Sequence, residues 1–140
     1  LRGEVNYEAQ AAIEFESLAD PDETAGYHFD FTANTLNFES GLQAVIGDVR
    51  SNTPIATISA KFHNGLAQGV VNVCQAAQAQ FNLNTVAVSG GVWQNMTLLT
   101  KTIPLLEQAG FKVLIHQQVP TNDGGIALGQ ATIASKTIQR

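Results

Sequence analysis

Charge is scarce in this chain: Asp, Glu, Lys and Arg make up 14% of its 140 residues, against roughly 25% in an average soluble domain. A surface so poor in charge must be built from small or amide-bearing side chains, or be covered by another part of a larger protein. Lys and Arg number 7 against 12 Asp and Glu, for a net charge of -5. They are scattered, so no basic stripe exists to neutralise phosphates along a duplex, and direct nucleic-acid binding is not expected. Cys74 is the only cysteine, which excludes an intrachain disulfide; it lies in a helical stretch with no charge beside it and is expected to be inert packing. No apolar run approaches the roughly 20 residues needed to span a bilayer. The first residues carry Glu4, Glu8, Glu14 and Glu16 in place of a signal-peptide pattern. The expectation is a soluble, cytoplasmic protein with no membrane partner.

What is present is 44% hydrophobic content, enough for one sizeable core and too little chain for two ordinary domains, so residues 1–140 are expected to form a single domain. A helix is predicted from Tyr7 to Leu18, then two short antiparallel strands, Tyr27–Phe31 and Leu36–Phe38, around a Thr32–Thr35 turn. Ser40 is expected to cap a helix whose buried face is Leu42, Val45, Ile46 and Val49. Thr53 is expected to cap the next, with Pro54 at its first position. That helix repeats Ile55, Ile58, Phe62, Leu66, Val70, Val73 and Ala77 along one stripe predicted to lie on a sheet, and its Gly65 and Gly69 call for close approach of a neighbour. Thr85–Val88 reads as a buried strand, a helix runs from near Gln94-Asn95 to Gly110, Lys112–His116 forms a further strand, and Thr121–Gly125 opens a last helix. Strands alternating with helices predict an α/β layer fold with parallel pairing of the last two strands.

Chemistry concentrates at two glycine turns. Ser89-Gly90-Gly91 follows a strand at the end where open α/β sheets hold ligands, and the next helix start adds positive partial charge for a nucleotide phosphate. The same residues also serve as a plain tight turn. No G-x-G-x-x-G or P-loop pattern occurs. Asn95 suits either a sugar hydroxyl or a helix cap, and Trp93 either stacking on a base or core packing. Asp123, ahead of Gly124-Gly125, is either the cap of the last helix or a hard oxygen ligand for a metal. His28, His63 and His116 have no metal-ligand spacing. His63 reads as a hydrogen-bonded structural imidazole, His116 as a surface residue, and Gly125, Ala127, Gly129 and Ala131 as a tight packing face.

Val86–Asn95 and Val119–Ala131, with Val5–Glu14 and Ala60–Ala67 upstream in the same order, resemble the C-terminal part of the HypF carbamoyltransferases over nearly the whole chain. Where Ala9 stands the family usually has Gly. The resemblance implies one lobe of an ASKHA fold (actin-like, ribonuclease H-like) with a mixed sheet, the C-terminal lobe of a domain shared with TsaD-type transferases. It implies that Ser89, Gly90, Gly91 and Asn95 contact ATP, that the segment with Glu8, Ala9 and Glu14 approaches the ribose, and that Asp123 binds a divalent metal (Fe, Zn or Mg) completed by histidines outside this chain. The implied activity passes a carbamoyl group, drawn from carbamoyl phosphate and ATP through carbamoyl-adenylate, to a cysteine of HypE in [NiFe] hydrogenase maturation. No residue here presents itself as a general base. Two other functions fit: TsaD-like threonylcarbamoyl transfer to tRNA, and a non-catalytic docking module whose open apolar surface would let it form a homodimer.

Overall fold

The computed structural model describes residues 3–138. Five helices, α1 (Gln10–Ser17), α2 (Glu39–Arg50), α3 (Ile55–Phe81), α4 (Met96–Gln108) and α5 (Ile126–Ile138), and four short strands, β1 (Asp30–Thr32), β2 (Thr35–Asn37), β3 (Thr85–Ala87) and β4 (Lys112–Leu114), follow in the order α1-β1-β2-α2-α3-β3-α4-β4-α5. β1 and β2 pair antiparallel, β3 and β4 parallel, as two separate sheets among the described residues. The fold is α/β, with helices packed on small sheets.

α1 starts just after Ala9, whose φ of 61° lies in the left-handed region. A Cβ there crowds the following carbonyl, which explains why glycine suits this position. Ala9→Gly is therefore expected to raise stability by about 1 kcal/mol, read as a shift of the urea midpoint at unchanged slope.

The β1–β2 turn is tighter than the predicted one. Thr32 pairs with Thr35, so only Ala33 and Asn34 form the loop, with φ values of 50° and 61°. Positive φ at both positions matches the right-handed twist of a hairpin. The strands shift accordingly: Tyr27 and Phe29 lie outside the sheet, yet their alternation with exposed His28 persists and both are buried. With Ile58 they form a first core, flanked by Phe15, Leu36, Val45, Ile55, Phe62 and Leu66. Val71, Leu106 and Phe111 form a second, flanked by Val70, Cys74, Val86 and Val113. Packing there pushes the Cys74 thiol up from its ordinary pKa by desolvation, as an inert thiol requires.

α3 runs through both cores and packs chiefly on α4, then on α2 and β1, rather than along a sheet. Its burial is also wider than the apolar stripe. Ser59, Ala60, His63, Gly65 and Ala67 are buried, while Val73 is exposed. Gly65 passes so close to the Tyr27 backbone that a Cβ would lie 2.2 Å from the Tyr27 carbonyl oxygen; Gly69 meets only the flexible Leu36 side chain, at 3.4 Å.

Two predicted caps belong elsewhere. Ser40 lies within α2, where its hydroxyl donates to the His28 carbonyl and to Asp30, while Asn37 accepts the Glu39 N–H. Pro54, not Thr53, occupies the cap position of α3, and the Thr53 hydroxyl donates to Asp48. The α2 stripe is mostly solvent-facing: Val45 packs on the first core, but Leu42, Ile46 and Val49 are exposed. Every described residue of α5 is exposed too, Ile126, Leu128 and Ile133 included, so of the small-residue face only Gly125, close against the Pro120 carbonyl, meets a neighbour.

Asp48 fastens α2 to α3 and to the first core. It accepts from the Lys61 ammonium at 2.5 Å and the Tyr27 hydroxyl at 2.6 Å, and Lys61 lies over the Tyr27 ring at 4.7 Å. Lys61, then Tyr27, hold the Asp48 carboxyl below the ordinary carboxylate range. A lowered folded pKa means that the unfolded chain binds the extra proton, so this contribution is complete above about pH 4 and is lost as pH falls further. Asp48→Asn is expected to flatten the decline in stability below about pH 4, which urea titrations across that range would follow.

Candidate functional site

The parallel pair β3–β4 ends at a cleft of about 280 Å³ lined by Ser89, Gly90, His116, Thr121, Asn122 and Asp123, among others. The sheet positions both sides of it: the Val88 N–H still donates to the Leu114 carbonyl, and beyond that point the two chains diverge into loops. Those loops are tied back together. The Gly90 N–H donates to the Thr121 carbonyl at 2.8 Å, and the Thr121 hydroxyl donates to the Gly90 carbonyl at 2.5 Å. Gly90 has a φ of 104°, which makes glycine necessary there, whereas nothing lies within 4 Å of where a Gly91 Cβ would sit. The bare main chain of Gly91 thus answers no need inside this chain, and it faces open space.

The helix start expected to attract a phosphate is occupied from within. The Asn95 carboxamide oxygen accepts from the Leu98 N–H at 2.7 Å, and the Glu16 carboxylate accepts from the Thr97 N–H at 2.9 Å. Both amides are spent, and a carboxylate sits where an anion would have gone. The Gly90 amide is committed as well, to the Thr121 carbonyl, so these three N–H groups are not open to a phosphate. A flat base or a sugar against the Gly91 main chain remains compatible with this turn. Asn95 is a cap, as its plainer role had it, and its amide nitrogen meets His63 Nε2 at 2.9 Å. His63 is indeed a buried, hydrogen-bonded imidazole. Trp93 is partly buried on the turn Gly91–Gln94.

The Asp123 alternatives separate cleanly. Asn122, not Asp123, caps the turn Asp123–Gly125, accepting the Gly124 N–H at 3.1 Å. The Asp123 side chain is exposed and has no hydrogen-bond or ion-pair partner among the described residues. It offers free carboxylate oxygens, the chemistry that a hard divalent cation takes. No group of three His, Cys, Asp or Glu among the described residues could hold a metal, so Asp123 fits as one ligand of a shared site.

Ser89, Gly90 and Asp123 come together; Gly91, Glu8, Glu14 and Asn95 do not line that cleft. Glu8 is exposed at the end of the segment leading into α1, and Glu14 accepts from Gln10 at 2.9 Å. His116, expected as a surface residue, is exposed, but its Nε2 lies 2.9 Å from the Ser89 hydroxyl inside the cleft. It is separated from Ser89 by 27 residues, and Thr121 from Gly90 by 31, so no local pattern announces either pair. A larger groove of about 580 Å³ between residues 21–28, α3 and α4 contains none of the expected site residues.

Residues 1–130 match the family model described as the carbamoyltransferase Kae1-like domain, second subdomain. The carbamoyltransferase HypF of Synechocystis is 35% identical over 136 residues, covering 93% of this chain and 17% of that protein. That of Rhizobium leguminosarum is 29% identical over 134 residues, covering 95% and 17%. Among solved structures, full-length HypF in its phosphate- and nucleotide-bound form superposes with a TM-score of 0.91 at 35% identity, over 99% of this chain and 19% of that one. T. kodakarensis HypF, at 23% identity and a TM-score of 0.80, shares the fold.

The α/β architecture and the family match define one lobe of an ASKHA-type carbamoyltransferase domain. The chain belongs to the HypF family. It spans 17% of the length of the two curated relatives above. No helix among the described residues is long and apolar enough to cross a membrane.

Proposed function

We propose that this chain is the C-terminal, nucleotide-facing lobe of a carbamoyltransferase that draws on carbamoyl phosphate and ATP, through carbamoyl-adenylate, and delivers the carbamoyl group to a cysteine of HypE in [NiFe] hydrogenase maturation. The single observation carrying this proposal is the convergence of Ser89, Gly90 and Asp123, which has no partner among the described residues, on one cleft at the end of the parallel strands. The similar HypF solved with phosphate and nucleotide lends it support.

The residues divide the work by their chemistry. Gly91 lets the backbone approach the nucleoside part of the adenylate. Asp123 contributes one carboxylate to a divalent cation (Fe, Zn or Mg), which when bound supplies positive charge near the phosphates, with histidines outside this chain completing its ligands. Ser89 and His116 share a hydrogen bond at the same mouth and can orient a polar group of the substrate. The cleft is close to the lower end of the roughly 300–1,000 Å³ usual for small-molecule sites, as befits one wall of a site between two lobes. Orientation and electrostatics are the contribution of this lobe, rather than a nucleophile.

Calorimetric titration of ATP into a HypF-length protein carrying this segment tests the assignment. Gly91→Val is expected to weaken binding at least roughly tenfold at an unchanged melting temperature, since its side chain would enter open space within the chain. An affinity equal to that of the parent protein would remove the nucleotide from this site. A docking role for the same lobe draws support from the exposed apolar faces of α2 and α5, which suit a surface covered by the rest of a HypF-length protein.

A further inference from the structure

The cap of α4 is held from behind. Asn95 Oδ1 accepts the Leu98 N–H, so its amide nitrogen must be the end facing His63 Nε2 at 2.9 Å. A donating amide requires an accepting ring nitrogen, which leaves the proton on Nδ1, where the Ser59 carbonyl accepts it at 2.8 Å. The imidazole is thereby fixed in one tautomer and one orientation. It is 3% exposed, stacked on Phe15 at 5.7 Å and flanked edge-on by Phe62 at 6.2 Å. The Ser59 hydroxyl donates to the Phe15 carbonyl of α1, and Glu16, the next residue of α1, takes the Thr97 N–H. Three elements, α1, α3 and the start of α4, meet on this one side chain.

We propose that His63 is a positioning residue for nucleotide binding: its Nδ1-protonated ring holds Asn95 in the capping orientation and so fixes the end of the turn Gly91–Gln94 at the start of α4. The proposal rests on the nucleotide reading of that turn given above. It follows from connectivity, since the 3-10 turn ends directly at Asn95 and the backbone of Gly91 is four residues away. If Asn95 is released, the turn loses its anchor at the end opposite the Gly90–Thr121 tie. His63 touches no substrate in this scheme and acts through Asn95 alone.

Two measurements test it. Nitrogen-15 NMR of the imidazole should find Nδ1 protonated and Nε2 bare at neutral pH; the reverse tautomer would overturn the proposal outright. In a HypF-length protein, ATP affinity should fall roughly tenfold, the worth of one buried hydrogen bond, in His63→Phe and again in Asn95→Ser, which keeps a capping oxygen but cannot reach His63. His63→Gln, which can again offer Asn95 an acceptor, should recover most of the affinity, a rescue that loss of packing alone would not show. Gly91→Val is measured alongside. If it weakens ATP binding while His63→Phe and Asn95→Ser bind normally, the positioning role is wrong and the nucleotide site stands; if Gly91→Val also binds normally, the site and the positioning role fall together. Should His63→Phe fail to fold, Asn95→Ser decides on the same terms.

Discussion

Gly65→Ala is expected to cost at least about 3 kcal/mol and to lower the urea midpoint accordingly. The new carbon would lie 2.2 Å from the Tyr27 carbonyl oxygen and 3.0 Å from the Phe29 ring. Neither side can retreat. Tyr27 is fixed by its N–H on the Lys61 carbonyl at 3.0 Å and by its hydroxyl on Asp48 at 2.6 Å, and Phe29 is 2% exposed. Moving α3 instead would disturb the second core, because the same rigid helix carries Val71. The gain of roughly 1 kcal/mol that alanine brings to a helix interior is too small to compensate. Gly47→Ala in α2, where nothing lies within 4 Å, isolates that propensity gain as a control. A Gly65→Ala protein with the parent's midpoint would mean that α3 and the Tyr27 backbone are not in contact.

Asp123→Ala should do the reverse, leaving folding alone and removing function. The carboxylate is exposed, Asn122 already provides the cap, and no described group pairs with Asp123, so the stability change should stay within about 0.5 kcal/mol. In a HypF-length protein, the part of ATP affinity that depends on a divalent cation should drop at least roughly tenfold, through loss of a charged oxygen ligand. The decisive comparison is between titrations with and without the cation: the variant and its parent should agree once the cation is chelated away. Equal cation dependence in the two would take Asp123 out of the proposed metal site.

The path from sequence to fold was most legible where a local rule and the tertiary environment agree. The Thr85 and Lys112 runs became a parallel pair, and the demand of Gly65 for a close neighbour was met by Tyr27. Two capping residues are taken by carboxylates instead of helix ends. Ser40 and Thr53 have the right chemistry for capping, but Asp30, 10 residues before Ser40, and Asp48, 5 residues before Thr53, claim their hydroxyls. The α2 stripe misled because periodicity reports that a face is apolar without saying what covers it. Conversely, Ser59, His63 and Thr102 are buried because each polar atom has a partner, and an apolar pattern cannot flag them. At the cleft, Ser89, Gly90 and Asp123 meet, while the loss of the α4 start to Asn95 and Glu16 depends on a contact 81 residues long.

The reciprocal bonds between Gly90 and Thr121 make the two rims of the cleft a single mechanical piece. Displacing one strand end drags the other, so the carboxylate two residues past Thr121 and the bare backbone next to Gly90 travel together. Under the proposed function, whichever of cation and nucleotide arrives first would stiffen the seat of the second, and linkage requires that the favour be returned in equal measure.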